Sequence, residues 1–148
     1  MSSPASTAFS LGKSLILLNG LSQSVLAFVF DYNETHVKNP RWPPHARFHN
    51  GQTMSLGVLL ATFSAYLAFR PASLQQKQFD VFHAAIIGSM YFVAGISAIL
   101  YPGTKWMDPE FGEGSPQAGL FVGMIVVAWV GWWLESRRLI GLVGTKRE

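Results

Sequence analysis

Four stretches of this chain, Ser14 to Phe30, Thr53 to Phe69, Phe82 to Tyr101 and Ala118 to Leu134, contain no aspartate, glutamate, lysine or arginine. Each approaches the roughly 20 apolar residues that carry a helix across about 30 Å of hydrocarbon. Backbone placed in lipid must satisfy its own hydrogen bonds, so segments of this kind are helices. The chain has 148 residues, 49% hydrophobic and only 13% charged, whereas about a quarter of an ordinary soluble domain is charged. The expected fold is therefore all-α: a single transmembrane domain over residues 1–148, built as an integral membrane four-helix bundle. A water-soluble bundle is the competing account, since the first and last stretches are at the short end of the spanning range. Against it, only His83 interrupts the run between Asp80 and Lys105, and such a run is rare in a soluble helix.

Four spans put both termini on one side. That side carries Lys13, Arg70, Lys77, Arg137, Arg138, Lys146 and Arg147, against Lys38, Arg41, Arg47 and Lys105 on the other, so the positive-inside rule favours cytoplasmic termini. The expected location is a multi-pass membrane protein, endomembrane if eukaryotic and inner membrane if bacterial. Ser14 to Phe30 is too long for the apolar core of a cleaved signal peptide and no small-residue cleavage pattern follows it, so the first helix is expected to stay.

The first ten residues look like a disordered lead and Leu142 to Glu148 like a basic tail. The connection Arg70 to Val81 is short and polar, as an antiparallel hairpin requires. Pro43 and Pro44 suit the first turn of a helix, where a missing N–H costs nothing, so the second helix has an alternative start near Pro44. Small residues four apart, Gly20/Ser24, Gly57/Ala61/Ala65, Ala84/Gly88 and Gly119/Gly123, mark expected close approaches between helices. Trp132 and Trp133 with Arg137 and Arg138 fit an interfacial anchor.

The segment Asn39 to Asn50, N-P-R-W-P-P-H-A-R-F-H-N, crowds histidines, arginines, prolines and aromatics between two apolar stretches. It is the expected functional site. His45 and His49, at i and i+4, present two ring nitrogens to one point, as in helical metal sites and in acid–base pairs. Gln52 extends the same face, and because lipid offers it no partner the stripe is expected to look into the bundle. Asp31, Glu34 and His36 share the connection, so one account has a single metal ion held by His45, His49, His36 and Glu34. A metal-free account uses one neutral imidazole as base, His49, Glu34 or Asp31 as acid, and Arg41 or Arg47 to hold a developing oxyanion. A third makes the segment an interfacial cap against carboxylates, headgroups and helix ends. No cofactor is required by the sequence.

Asn19 and Gln23 lie one turn apart inside the first span, where unpaired amides are costly, so they are expected to face inward, lining a ligand pocket or bonding between helices. Gln52, Trp42 and Trp106 complete the expected substrate contacts. The third connection, around Trp106, Asp108, Glu110 and Glu113, would act as a lid or pair its acids with Arg41 or Arg47. His83, near Asp80, reads as a satisfied interfacial histidine. Asn33-Glu34-Thr35 is a formal glycosylation sequon, too close to the bilayer for easy use. The absence of cysteine excludes disulfides and thiolate chemistry. The basic residues are dispersed at helix ends, which argues against nucleic acid.

Asp31-Tyr-Asn-Glu-Thr-His36, followed by Asn39-Pro-Arg-Trp-Pro-Pro-His-Ala-Arg-Phe-His-Asn-Gly-Gln-Thr53, resembles an uncharacterised family of small four-helix membrane proteins of fungi and bacteria. That resemblance supplies no reaction. In size and helix count alone the chain is also similar to fungal anthrone oxygenases and, more loosely, to membrane terpene cyclases and sterol isomerases. What this second resemblance implies is a lipophilic secondary metabolite, such as a polyketide or terpenoid, as substrate. The leading expectation is a small polytopic membrane enzyme, or the obligate partner of one, acting on a hydrophobic small molecule by isomerase, cyclase or oxygenase-like chemistry. Its partners would be the bilayer and that molecule, with a homo-oligomer or another membrane enzyme left open. The alternative is a non-enzymatic scaffold, lipid-binding protein or transporter accessory subunit.

Overall fold

The computed structural model describes residues 7–144. Most of the expected N-terminal lead, and Lys146 and Arg147 of the expected tail, lie outside the described residues. Among the described residues, four helices are long and apolar enough to cross a membrane: α1 Leu11–Asp31, α2 Pro44–Phe69, α3 Leu74–Leu100 and α4 Pro116–Gly144. The protein is all-α and an integral, multi-pass membrane protein.

Local chemistry accounts for the helix ends. Ser10 caps α1 by accepting from Lys13 N at 3.3 Å, and Ser73 caps α3 by accepting from Gln76 N at 3.2 Å. Pro43 and Pro44 open α2, their fixed φ angles already helical. Arg70 and Tyr101 each precede a proline and are extended, with ψ of 144° and 143°, because the following ring excludes the α conformation. The turn after α3 places Gly103 at φ +79° behind Pro102, as a type II turn demands. The described part of the expected tail, Leu142 to Gly144, is the last turn of α4.

Around the bundle α1 packs on α2 and α4, and α3 on α2 and α4, with a lesser α1–α3 contact across the short diagonal. Glycines let backbones meet in two places. A Cβ at Gly12 would lie 2.6 Å from the Gly131 carbonyl oxygen and from Glu135 N, at the α1–α4 crossing. A Cβ at Gly57 would collide with the Gln23 carbonyl oxygen at the α1–α2 contact. There α1 widens into a π-helical turn, Ser22–Leu26. Gly119 and Gly123 depart from expectation: nothing lies within 4 Å of where their Cβ atoms would be, and they face outward.

The distribution of polarity is inside out. Leu59 is 66% exposed and Phe63 52%, whereas Lys13, Lys77, Gln23, Asn19 and Glu135 are all 0% exposed. In water that arrangement would be ruinous; in lipid, apolar side chains face the solvent and polar ones face each other.

At the end that holds the start of α1 and the end of α4, buried charges form a lock. Glu135 accepts two hydrogen bonds from Arg138, Nη2 to Oε1 at 2.6 Å and Nε to Oε2 at 3.0 Å. It also accepts from the Ser10 hydroxyl and lies 4.0 Å from Lys13 Nζ, which donates to Ala8 O at 3.0 Å. Lys77 Nζ donates to the carbonyls of Leu67 at 2.9 Å and Arg70 at 2.6 Å, capping the end of α2, where carbonyls lack helical partners. Arg70 forks onto Asp80 at 2.8 and 2.6 Å, and that carboxylate holds the guanidinium charged more firmly than a free arginine. Counting Lys13, Arg70, Lys77 and Arg138 as orienting surface charges is therefore incomplete, since all four are bound into these contacts. Just inside the lock lies an apolar cluster of Ile16, Ala68, Val81, Ala84 and Leu139.

Candidate functional site

The opposite end carries the histidine segment. The chain leaves α1 through Asn33, whose Nδ2 donates to Val29 O at 3.1 Å and Phe30 O at 2.8 Å. Asn33 Oδ1 accepts from Thr35 N at 2.8 Å and Thr35 Oγ1 at 2.7 Å. The sequon asparagine is thus the cap of α1. His36 Nδ1 lies 2.6 Å from Thr35 Oγ1, and its ring meets Trp42 edge-on at 5.1 Å.

Asn39, 2% exposed, organises the rest of the connection. Its Oδ1 accepts from Arg41 N at 3.0 Å, its carbonyl accepts from Arg47 Nη2 at 2.8 Å, and its Nδ2 donates to Glu110 Oε1 at 3.4 Å. Arg41 forms an ion pair with the same Glu110, so the first and third connections are tied together. Asn39, Arg41, Trp42, Asp108, Pro109 and Glu110 line a cleft of about 420 Å³. Trp106 lines a second cleft of about 300 Å³ and packs on Phe121 at 6.5 Å. Asn39→Ala is expected to cost about 1 kcal/mol, because Arg41 N–H loses its acceptor and Glu110 its link to the first connection, and to speed protease cleavage of the two connections. Unchanged cleavage would refute this organising role.

On α2, His45 Nε2 and His49 Nε2 stand 3.0 Å apart, and His49 Nδ1 lies 3.2 Å from Gln52 Oε1. All three side chains are exposed, so the expectation that the stripe looks into the bundle is wrong. The reason is helical phase: Met54 and Gly57 are buried, and Arg47 and Asn50 share that inner face while His45, His49 and Gln52 take the outer one. Asn50 Nδ2 reaches inward to Asp31 Oδ2 at 3.3 Å.

The structure therefore gathers His45, His49 and Gln52 in one contact and Arg41, Trp42 and Arg47 around Asn39. Glu34 is exposed and joins neither group; Asn19 and Gln23 lie deeper in α1. Among the described residues no three histidine or acidic side chains converge to hold a metal ion, so His45, His49, His36 and Glu34 do not assemble as one ligand set. Sequence reasoning placed Asn39 at the head of the expected segment but gave it no role of its own, although an asparagine before a proline is a turn signal. It also overlooked the burial of Glu135, an acid directly abutting an apolar run.

A model described as a family of unknown function, DUF6640, matches residues 15–146. The chain belongs to this family. No curated protein and no solved structure matches it. The span shared with DUF6640 takes in the histidine segment, both clefts and every member of the charge lock except Ala8, Ser10 and Lys13. The polar features of the two ends thus lie largely within the DUF6640 domain.

Proposed function

We propose that this DUF6640 protein is a small membrane enzyme, or the obligate partner of one, that handles a lipophilic small molecule at the histidine end. The observation that carries this reading is the His45–His49–Gln52 relay. With Gln52 Oε1 as acceptor, His49 holds its proton on Nδ1 and its Nε2 is free to accept. At a Nε2–Nε2 separation of 3.0 Å, His45 then donates from Nε2 and keeps a bare lone pair on Nδ1. That nitrogen is the base, and a proton taken there is shared with a second imidazole already oriented by an amide. Facing outward at the membrane boundary, the pair would meet a molecule arriving laterally from the bilayer. Arg41, its side chain 69% exposed, and Trp42 at the cleft rim are the contacts for a carbonyl or anionic group. Polyketides and terpenoids have the required mixture of apolar skeleton and enolisable or ionisable oxygen.

A second reading, a scaffold or lipid-binding subunit, draws on the same outward orientation, since exposed imidazoles also suit phospholipid headgroups. Organic extracts of a host making the native protein, compared with a His45→Ala, His49→Ala double variant at equal membrane level, separate the two. A metabolite that disappears or accumulates only with the variant is expected; indistinguishable extracts from the producing organism would favour the scaffold.

A further inference from the structure

Six buried polar side-chain atoms have no hydrogen-bond partner among the described residues: Asn19 Oδ1, Gln23 Nε2 and Oε1, Arg47 Nε, Asn50 Oδ1 and Gln117 Oε1. All lie between the middle of the bundle and the histidine end. Asn19 and Gln23 are near the midpoint of α1, Arg47 and Asn50 near the start of α2, and Gln117 in the first turn of α4. Toward the other end the pattern reverses: the Ile16 cluster is apolar, and beyond it Lys77, Asp80 and Glu135 are all paired. Folded proteins satisfy nearly all buried polar groups, and hydrocarbon makes an unsatisfied amide costlier still. Asn19 and Gln23 are each 0% exposed, so bulk solvent does not serve them. Gln23 also sits in the π-helical turn, a distortion that recurs at functional sites. Gly57 faces its carbonyl from α2, with the Tyr91 ring alongside.

We infer that Asn19 and Gln23 form the floor of a binding site, approached from the histidine end, for the hydroxyl group of a neutral lipophilic alcohol. The free atoms specify that group. Asn19 spends Nδ2 on Met124 O at 2.8 Å, and its unpartnered Oδ1 lies against Gly88 of α3; Gln23 leaves one acceptor and one donor unpartnered. A hydroxyl both donates and accepts, and so serves either amide oxygen together with Gln23 Nε2. A ketone answers only the donor, and a carboxylate would set its charge against two amide oxygens with no cation on the floor. Asp31 ends α1 and Arg47 lies in the first turn of α2, toward the histidine end, while Lys13 and Lys77 belong to the charge lock. The inference rests on the lipophilic-ligand reading above, though not on histidine chemistry.

The test reconstitutes the intact protein in phosphatidylcholine vesicles and photolabels it with a long-chain diazirine alcohol or the matched diazirine alkane. Saturable labelling of peptides bordering Asn19 and Gln23 is expected, displaced by hexadecanol and about tenfold weaker with the alkane, the worth of one or two hydrogen bonds. Gln23→Met keeps length and removes the amide. It is expected to reduce the preference for the alcohol at least threefold while raising the thermal midpoint, because an unpartnered buried amide is gone; a glutamine serving only helix packing would lose stability instead. Equal labelling by alcohol and alkane, or a preference undiminished by Gln23→Met, overturns the inference. Footprinting that finds only water at Gln23, with no alcohol labelling, overturns it too. The His45→Ala, His49→Ala protein is expected to label normally. Selective labelling with unchanged extracts would fault the histidine reading alone, and altered extracts without selective labelling would fault this site alone.

Discussion

Glu135→Ala is expected to destabilise the bundle by about 3–5 kcal/mol, the usual consequence of removing one partner from a buried ion pair. The carboxylate is 0% exposed and gathers Ser10, Lys13 and Arg138 at the α1–α4 crossing. Arg138, its side chain 30% exposed, can turn toward water once the acid is gone. Lys13, at 0%, cannot; it keeps its bond to Ala8 O but loses its carboxylate neighbour. The damage therefore falls mainly at the buried Lys13. A Lys13→Met, Glu135→Leu double variant is expected to recover most of the stability, since well-packed apolar replacements of buried pairs are often neutral. Thermal unfolding in mild detergent measures both; a double variant no better than Glu135→Ala would show that the pair supplies more than mutual neutralisation.

Gly57→Val is expected to be comparably harmful by a different route. Its first side-chain carbon would meet the Gln23 carbonyl oxygen, with Tyr91 Cε2 only 3.3 Å away, so neither α1 nor α3 leaves it a way out. Overpacking of this kind costs about 1–3 kcal/mol, and more when the obstacle is backbone. The contrast is Gly123→Ala, with nothing within 4 Å, which is expected to be neutral or to stabilise by about 0.5–1 kcal/mol through helix propensity. Unfolding titrations with sodium dodecyl sulfate compare them directly. Equal tolerance at both positions would mean that α1 and α2 are not held in contact at the π-helical turn.

Residue by residue, the expected site divides by what sequence spacing can encode. The pairing of His45 with His49, and of His49 with Gln52, follows from i, i+4 and i, i+3 neighbours on any helix. Whether that stripe faces the bundle or the lipid depends on which face of α2 meets α1. The answer came from Met54 and Gly57, whose burial places Arg47 and Asn50 inside instead. Arg41 and Glu110 are far apart in the chain, and nothing local predicts that both settle on Asn39. Asn19 and Gln23 were legible as inward-facing because lipid penalises an exposed amide, but the lack of partners for three of their four amide atoms appears only once the neighbours are in place.

By itself the sequence determined the solvent and the number of crossings. Four uncharged apolar stretches leave a membrane helix as the conformation that satisfies their backbone, whatever surrounds them. Prolines and serines set where several of those helices start or stop, since φ restriction and capping act within a few residues. Tertiary structure alone decided which charges became structural. Lys13, Lys77, Asp80 and Glu135 border their apolar stretches as water-facing residues would, and only the approach of α1 to α4 and of α2 to α3 buries them in mutual contact. It also decided that polar demand is met at one end of the bundle and left open toward the other, because hydrogen-bond satisfaction depends on distances between helices that no local pattern carries.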